Sequence, residues 1–330
     1  MHDVGYATGV YQDTTRTNWN NTGPRPVAWS AWYPVWSSAR QVSRRDDAFF
    51  QLGDVYIDEK IVSGHAFPVV MLSHGTGGSP ESLGWLASKL AAQGYVVIGA
   101  HHHGNTASEP YRPEGFMCWW ERATDISALL GALSETGPFA DRLDLGRVSA
   151  VGFSLGGHTV LALAGAMTST DRYVRWLDAK GTPIAGPREF PDLADHIPRL
   201  LTTSEPFRVS WYRQSESFAD ARLGSLVAIA PAPPVRAFDT TSINSIKIPV
   251  TLITGEADTE APPLECAAWL TAANPRFRRV SAGKNVGHYT FVGFPGGTVS
   301  EETSFIFTDD PGVERAAVHE LVFKTLLGAL

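Results

Sequence analysis

Gly152-Phe153-Ser154-Leu155-Gly156-Gly157 matches the pattern G-x-S-x-G, a serine spaced between glycines as required to expose a hydroxyl on a tight strand-to-helix turn. Alone the match carries little weight, because serine before a helix is also a favoured N-cap. Its surroundings raise it. Arg147 to Phe153 reads as a strand and Leu155 to Ala166 as a small-residue helix, so Ser154 falls on the turn between them. A serine hydroxyl attacks poorly without a base. Among the ten histidines, His288 in Gly287-His288-Tyr289 follows the last expected strand, Phe277 to Ser281, where a loop reaches the carboxyl ends of the strands. The others precede the serine (His2, His65, His74, His101 to His103) or lie in its own helix (His158), an irregular segment (His196) or the final helix (His319), where solvated or core roles are the default. An imidazole needs an orienting carboxylate, and Gly255 to Pro263 offers Glu256, Asp258 and Glu260. Asp258 is preferred, since it stands where the chain turns back from the strand end and the next helix starts at Pro262-Pro263.

Attack on a carbonyl places negative charge on its oxygen, so donors must already be aimed there. The N–H of Leu155, directly after the serine, is one candidate, and the N–H of Thr76 in Ser73-His74-Gly75-Thr76-Gly77-Gly78 is the other. That glycine-rich loop lacks the lysine of a P-loop and the spacing of G-x-G-x-x-G, which argues against nucleotide binding. His101-His102-His103 suggests a metal cluster, yet alternate side chains of an extended segment face apart, and hydrolysis by serine, histidine and aspartate needs no metal or other cofactor. His103 is expected to stand in the wall of the substrate pocket instead. Trp119, within Met117-Cys118-Trp119-Trp120, is expected to line an acyl pocket, or else to cover the core. Cys118 and Cys266 read as small buried hydrophobes, with one bridge between them left open.

The elements that position these residues alternate. Val69 to Leu72, Tyr95 to Ala100, Arg147 to Phe153, Leu223 to Ala230 and Ile248 to Thr254 are apolar strands, separated by helices at Pro80 to Gln93, Ala123 to Leu133, Leu155 to Ala166 and Leu264 to Ala273. Asp310-Pro311 is expected to cap a last helix reaching Leu327. This predicts an α/β fold, a mostly parallel sheet covered by helices on both faces. Val27 to Tyr33 and Val55 to Ile61 look like edge or antiparallel strands. Residues 168 to 222, with helical fragments at Tyr173 to Ala179 and Leu193 to Leu201, read as a cap inserted into a single domain spanning 1–330.

The 330 residues are 43% hydrophobic and 18% charged, enough for a substantial core. Lys and Arg number 27 against 34 Asp and Glu, and 27 − 34 = −7 with no basic block makes a nucleic-acid partner improbable. No apolar run approaches the roughly 18 residues that cross a bilayer, so a soluble chain is expected. No signal-like segment precedes Val4, so the expectation is a cytoplasmic protein, or a secreted or periplasmic one already trimmed. The expected partner is a small-molecule ester; oligomeric state is left open.

These motifs, in order, resemble an α/β-hydrolase of the group joining platelet-activating factor acetylhydrolases to bacterial proteins described as dienelactone hydrolases. The resemblance rests on Asp13 with Arg16, Arg25-Pro26, Trp32-Tyr33-Pro34, Ser73 to Gly78, His103-Gly104-Asn105-Thr106, Gly152 to Gly157, Gly255 to Pro263 and Gly287 to Phe291. It covers nearly the whole chain except 168 to 222. It implies the α/β-hydrolase fold, a Ser154-Asp258-His288 triad with Thr76 and Leu155 as oxyanion donors, and hydrolysis of carboxylic esters with short or medium acyl chains. Dienelactone hydrolases carry cysteine at the elbow where this chain has Ser154, which departs from that substrate. The alternatives are a lactonase or amidase with the same triad, or a non-catalytic binding module of this fold.

Overall fold

The computed structural model describes residues 2–36, 49–183 and 186–330. Strands β1 (Asp3–Thr17) and β2 (Pro24–Val35) form a long antiparallel pair, and β3 (Tyr56–Ile57) joins the outer edge of β1. Strands β4 (Phe67–Ser73), β5 (Val96–His101), β6 (Leu143–Phe153), β7 (Leu223–Ile229), β8 (Val250–Thr254) and β9 (Arg278–Ser281) run parallel. Together they make one sheet in the order β3-β1-β2-β5-β4-β6-β7-β8-β9, with β2 antiparallel to β5. The expected α/β architecture is present.

Short apolar strands form here because both faces are buried. Along β4, Val69 and Met71 enter a core shared with the helices Glu121–Glu135, Leu155–Leu163 and Ala267–Ala273. Val70 and Leu72 point the other way, into a core shared with Gly84–Ala92 and Arg315–Leu327. Period-2 alternation between two helix layers is what a continuous apolar run encodes in a parallel sheet.

Several expectations need correction. The strand Asp3–Thr17 was not foreseen, and Val55 to Ile61 contracts to Tyr56–Ile57. β1 was hidden by Gly5 and Gly9, which pair with Tyr33 and Trp29 and leave room for those rings, since a side chain at either glycine would strike its partner. The first turn after β4 is 3₁₀, Pro80–Leu83, and the α-helix begins only at Gly84. The helix after β8 begins at Ala267, beyond Pro262-Pro263, and the last helix begins at Arg315, not at Asp310-Pro311.

In the inserted segment helices span Thr170–Ala179, Ile197–Thr203 and Glu205–Tyr212, the last unforeseen. Positions 184 and 185 lie outside the described residues. A third apolar cluster joins Leu193, Leu200 and Phe207 of this segment to Phe116, Met117 and Trp120. The Trp120 indole N–H donates to the carbonyl of Ser210 at 3.0 Å, fixing the segment to the loop after β5.

Candidate active site

β6 ends at Phe153, and Ser154 takes φ 56° and ψ −118°, outside the regions favoured by L-residues, before the helix Leu155–Leu163 begins. Two glycines permit this turn. A Cβ on Gly152 would run into the Gly156 carbonyl, and one on Gly156 into the Ser73 carbonyl, so neither position tolerates a side chain while strand, helix and β4 stay in contact. The Ser154 N–H is anchored by Ile229 O at 2.9 Å.

His288 reaches this serine from the turn His288–Phe291, with Nε2 3.0 Å from Ser154 Oγ. Its Nδ1 lies 2.8 Å from Asp258 Oδ2, so a neutral ring donates from Nδ1 and accepts the serine O–H at Nε2. The second carboxylate oxygen of Asp258 accepts the Ala261 N–H at 2.7 Å, which fixes the plane of the group. Ser154, Asp258 and His288 are all buried. Glu256 and Glu260, the other acids of this loop, are exposed, and Glu260 pairs with Arg188 at 2.9 Å.

Groups unforeseen from sequence hold the His288 turn. Thr290 donates to Asp309 at 2.7 Å, Arg315 binds Asp309 and the carbonyls of Val292 and Gly293, and His319 Nε2 lies 3.0 Å from Thr290 O. These are side-chain bonds across distant segments, for which no spacing signal exists. Burial pushes the His319 pKa down to about 4, so it is a neutral donor to that carbonyl.

Behind the elbow lies a buried charged network. Asp125 receives a two-pronged contact from Arg25 at 2.8 and 3.1 Å, and Arg16 bridges Asp13 at 2.7 Å and Glu121 at 2.9 Å. Burial opposes ionisation of Asp125, but Arg25 and Arg16 outweigh it and hold the carboxyl well below its usual range. The histidine triplet fans out as alternation requires: His101 Nε2 lies 3.0 Å from Ser30, His102 is held between Ser73 (2.9 Å) and Asp125 (3.2 Å), and His103 Nδ1 lies 2.8 Å from Glu109. Among the described residues no cluster of three or more His, Cys, Asp or Glu could hold a metal ion. Cys118 and Cys266 are separate buried thiols, and burial pushes the pKa of Cys266 up to about 12.

A cavity of about 470 Å³ opens over the serine, lined by Ser154, His288, Thr76 and Leu155 from the core and by Trp119 and Tyr173 from the loop and the inserted segment. No acceptor among the described residues takes the N–H of Thr76 or Leu155. Trp119 is fixed by a 2.7 Å bond from its indole N–H to Phe116 O and meets Tyr173 edge to face, centroids 5.3 Å apart. His103, expected in the pocket wall, is not among its lining residues: it packs against Trp19, whose indole N–H donates to its carbonyl at 2.9 Å. Trp19 and Glu109 hold it in the loop beyond β5.

Comparison with known proteins adds the family. A ferulic acid esterase from Streptomyces cinnamoneus has the same fold, with a TM-score of 0.58 at 17% identity over 99% of this chain and 90% of that one. No curated protein matches the sequence. The family model described as PET hydrolase-like matches residues 14–204, a stretch that holds Ser154 and ends before Asp258 and His288. Since that match spans more than half of the chain, this protein belongs to the PET hydrolase-like family, carboxylic ester hydrolases of the α/β-hydrolase fold.

Proposed function

We propose that the chain hydrolyses carboxylic esters through an acyl-enzyme formed on Ser154, with His288 as base and acid and Asp258 as its orienting partner. Ser154 Oγ attacks the acyl carbon while its proton passes to His288 Nε2. The tetrahedral adduct collapses, and the departing alkoxide takes that proton to leave as the alcohol. Water then gives a proton to His288, attacks the acyl carbon, and frees the carboxylic acid as the proton returns to Ser154. Thr76 and Leu155 supply the N–H donors for the oxyanion. What supports this most is the pair of hydrogen bonds Ser154–His288 at 3.0 Å and His288–Asp258 at 2.8 Å in a buried site.

The proposed substrates carry short or medium acyl chains, in keeping with the motif resemblance and with a cavity of about 470 Å³ bounded by Trp119. Residues 168 to 222 act in this reading as a cap that lines the acyl side of the cavity. Burst release of p-nitrophenol from a short-chain ester, absent in Ser154→Ala, is the expected result. Turnover unchanged in that variant overturns the reading.

A further inference from the structure

The donor assigned to Thr76 is only as well aimed as the peptide that carries it. A trans peptide is planar, so the Thr76 N–H points opposite to the Gly75 carbonyl of the same unit. That carbonyl is held twice, by His74 Nδ1 at 2.7 Å and by the Gly78 N–H at 3.3 Å. Since a carbonyl only accepts, His74 donates from Nδ1, and its free Nε2 faces the His102 N–H at 3.4 Å. Burial holds this imidazole well below its ordinary pKa, in agreement with a neutral ring.

The following unit is held from the other side. Asn105, fully buried, accepts the Gly77 N–H on Oδ1 at 2.7 Å and donates from Nδ2 to Gly115 O at 3.2 Å. Both partners fix its amide orientation, because an N–H needs the oxygen and a carbonyl needs the NH₂. Gly77 sits at φ +60°, and its carbonyl accepts the Tyr111 hydroxyl at 2.7 Å. Beyond it, Gly78 O accepts from Thr106 Oγ1 at 3.0 Å and from the Ala107 N–H at 2.9 Å. Thr76 is therefore suspended between clamped peptides in the cavity wall, and its own N–H has no acceptor among the described residues.

We infer that Asn105 is a positioning residue for catalysis: by gripping Gly77 N–H and Gly115 O together it sets the direction of the Thr76 N–H toward the developing oxyanion. This rests on the proposed reading of Ser154 and Thr76. Without Asn105 the Gly77 N–H loses its acceptor in a buried site, and the Thr76–Gly77 unit is free to rotate, carrying its neighbour with it. Transition-state stabilisation suffers first, because the substrate's neutral carbonyl gains less from an aimed donor than the oxyanion does.

The test compares Asn105→Ala with the wild type using kcat per fluorophosphonate-titrated site, KM for a p-nitrophenyl ester, and the Ki of a trifluoromethyl ketone that forms a tetrahedral adduct. The expected result is a fall in kcat per titrated site of about 30- to 100-fold, a matching rise in Ki, and KM within about threefold. A purely structural role would lower melting temperature and titratable fraction while leaving kcat per titrated site within about threefold, and that result overturns the inference. Should Asn105→Ala fail to fold, Tyr111→Phe, on a partly exposed ring, removes the grip on Gly77 O and is expected to lose about fivefold in kcat per titrated site with the same rise in Ki; parity with wild type there is equally fatal. Absence of labelling in the wild type would instead overturn the Ser154 reading itself.

Discussion

The indole of Trp85 lies flat on the imidazole of His319, centroids 3.8 Å apart and planes 2° from parallel, directly beneath the turn that presents His288. The same indole donates to Phe291 O at 3.0 Å, and His319 serves Thr290 O at 3.0 Å and Val292 O at 3.1 Å. His319→Phe keeps a ring for the stack but leaves those buried carbonyls short of a donor. It is expected to destabilise the fold by about 1–3 kcal/mol and to lower kcat several-fold with little change in KM. Thermal unfolding and steady-state kinetics check it; full kcat at wild-type melting temperature would contradict it.

Ser154 meets His288 at the cost of backbone strain at φ 56°. Ser154→Gly should therefore match or exceed wild-type stability, by up to about 1 kcal/mol, while hydrolysis disappears. Calorimetry on Ser154→Gly beside Ser154→Ala separates relief of strain from loss of the hydroxyl. A glycine variant less stable than the alanine variant would show that the turn is not strained.

Asp258→Asn keeps the size of the side chain and can keep the acceptor for Ala261 N–H. It replaces an acceptor-only group facing His288 Nδ1, so the ring loses its preferred tautomer, and kcat is expected to drop about 10³- to 10⁴-fold. Glu260→Gln, on an exposed side chain paired with Arg188, should stay within about threefold. Equal losses in both variants would remove the special role given to Asp258.

Trp119→Ala removes the indole that meets Tyr173 at the cavity wall. The expected outcome is a shift of the preferred p-nitrophenyl ester toward longer acyl chains, measured as a ratio of kcat/KM values across a chain-length series. An unchanged ratio would place the acyl group elsewhere.

Acid should weaken this fold before it protonates most carboxylates. Burial holds His102 and His158 down to about 3 and His319 to about 4, against an ordinary 6.5, and lowers His74 as well. The unfolded chain then binds protons that the folded one refuses, so the stability these rings contribute is complete above about pH 6.5 and is lost as pH falls toward about 3. Asp125, lowered by Arg25 and Arg16, loses its contribution in the same direction at still lower pH. Melting temperature is expected to be level above neutrality and to fall steadily below it, with His158→Phe removing about one proton from the slope. A melting temperature that rises on acidification would refute this.

How far the site was legible depends on the range of the signal. Ser154 was readable because its turn is local: strand, glycine, serine, glycine and helix stand side by side in the chain. Asp258 and His288 were readable from their order after the last two strands. Asn105, Asp309 and Arg315 were not, because Asn105 and Arg315 act through bonds to backbone in another segment and Asp309 through the side chains of Thr290 and Arg315, and no periodicity marks such partners. His103 was misplaced for a related reason: adjacent residues leaving β5 face opposite ways, and only pairing with Trp19 and Glu109 shows which one turns from the serine. β1 escaped because glycines that make room for cross-strand rings look like loop residues until the partner strand is known.

The tie between Arg25 and Asp125 joins residues 100 positions apart. A growing chain therefore exposes its first hairpin long before the acid that neutralises it has been made, and that hairpin must wait in water with its guanidinium groups solvated. Docking of the leading edge becomes a late event in biogenesis, and a protein cleaved after Arg25 would leave Asp125 beneath the elbow without either guanidinium, in contact with His102 alone among the described residues.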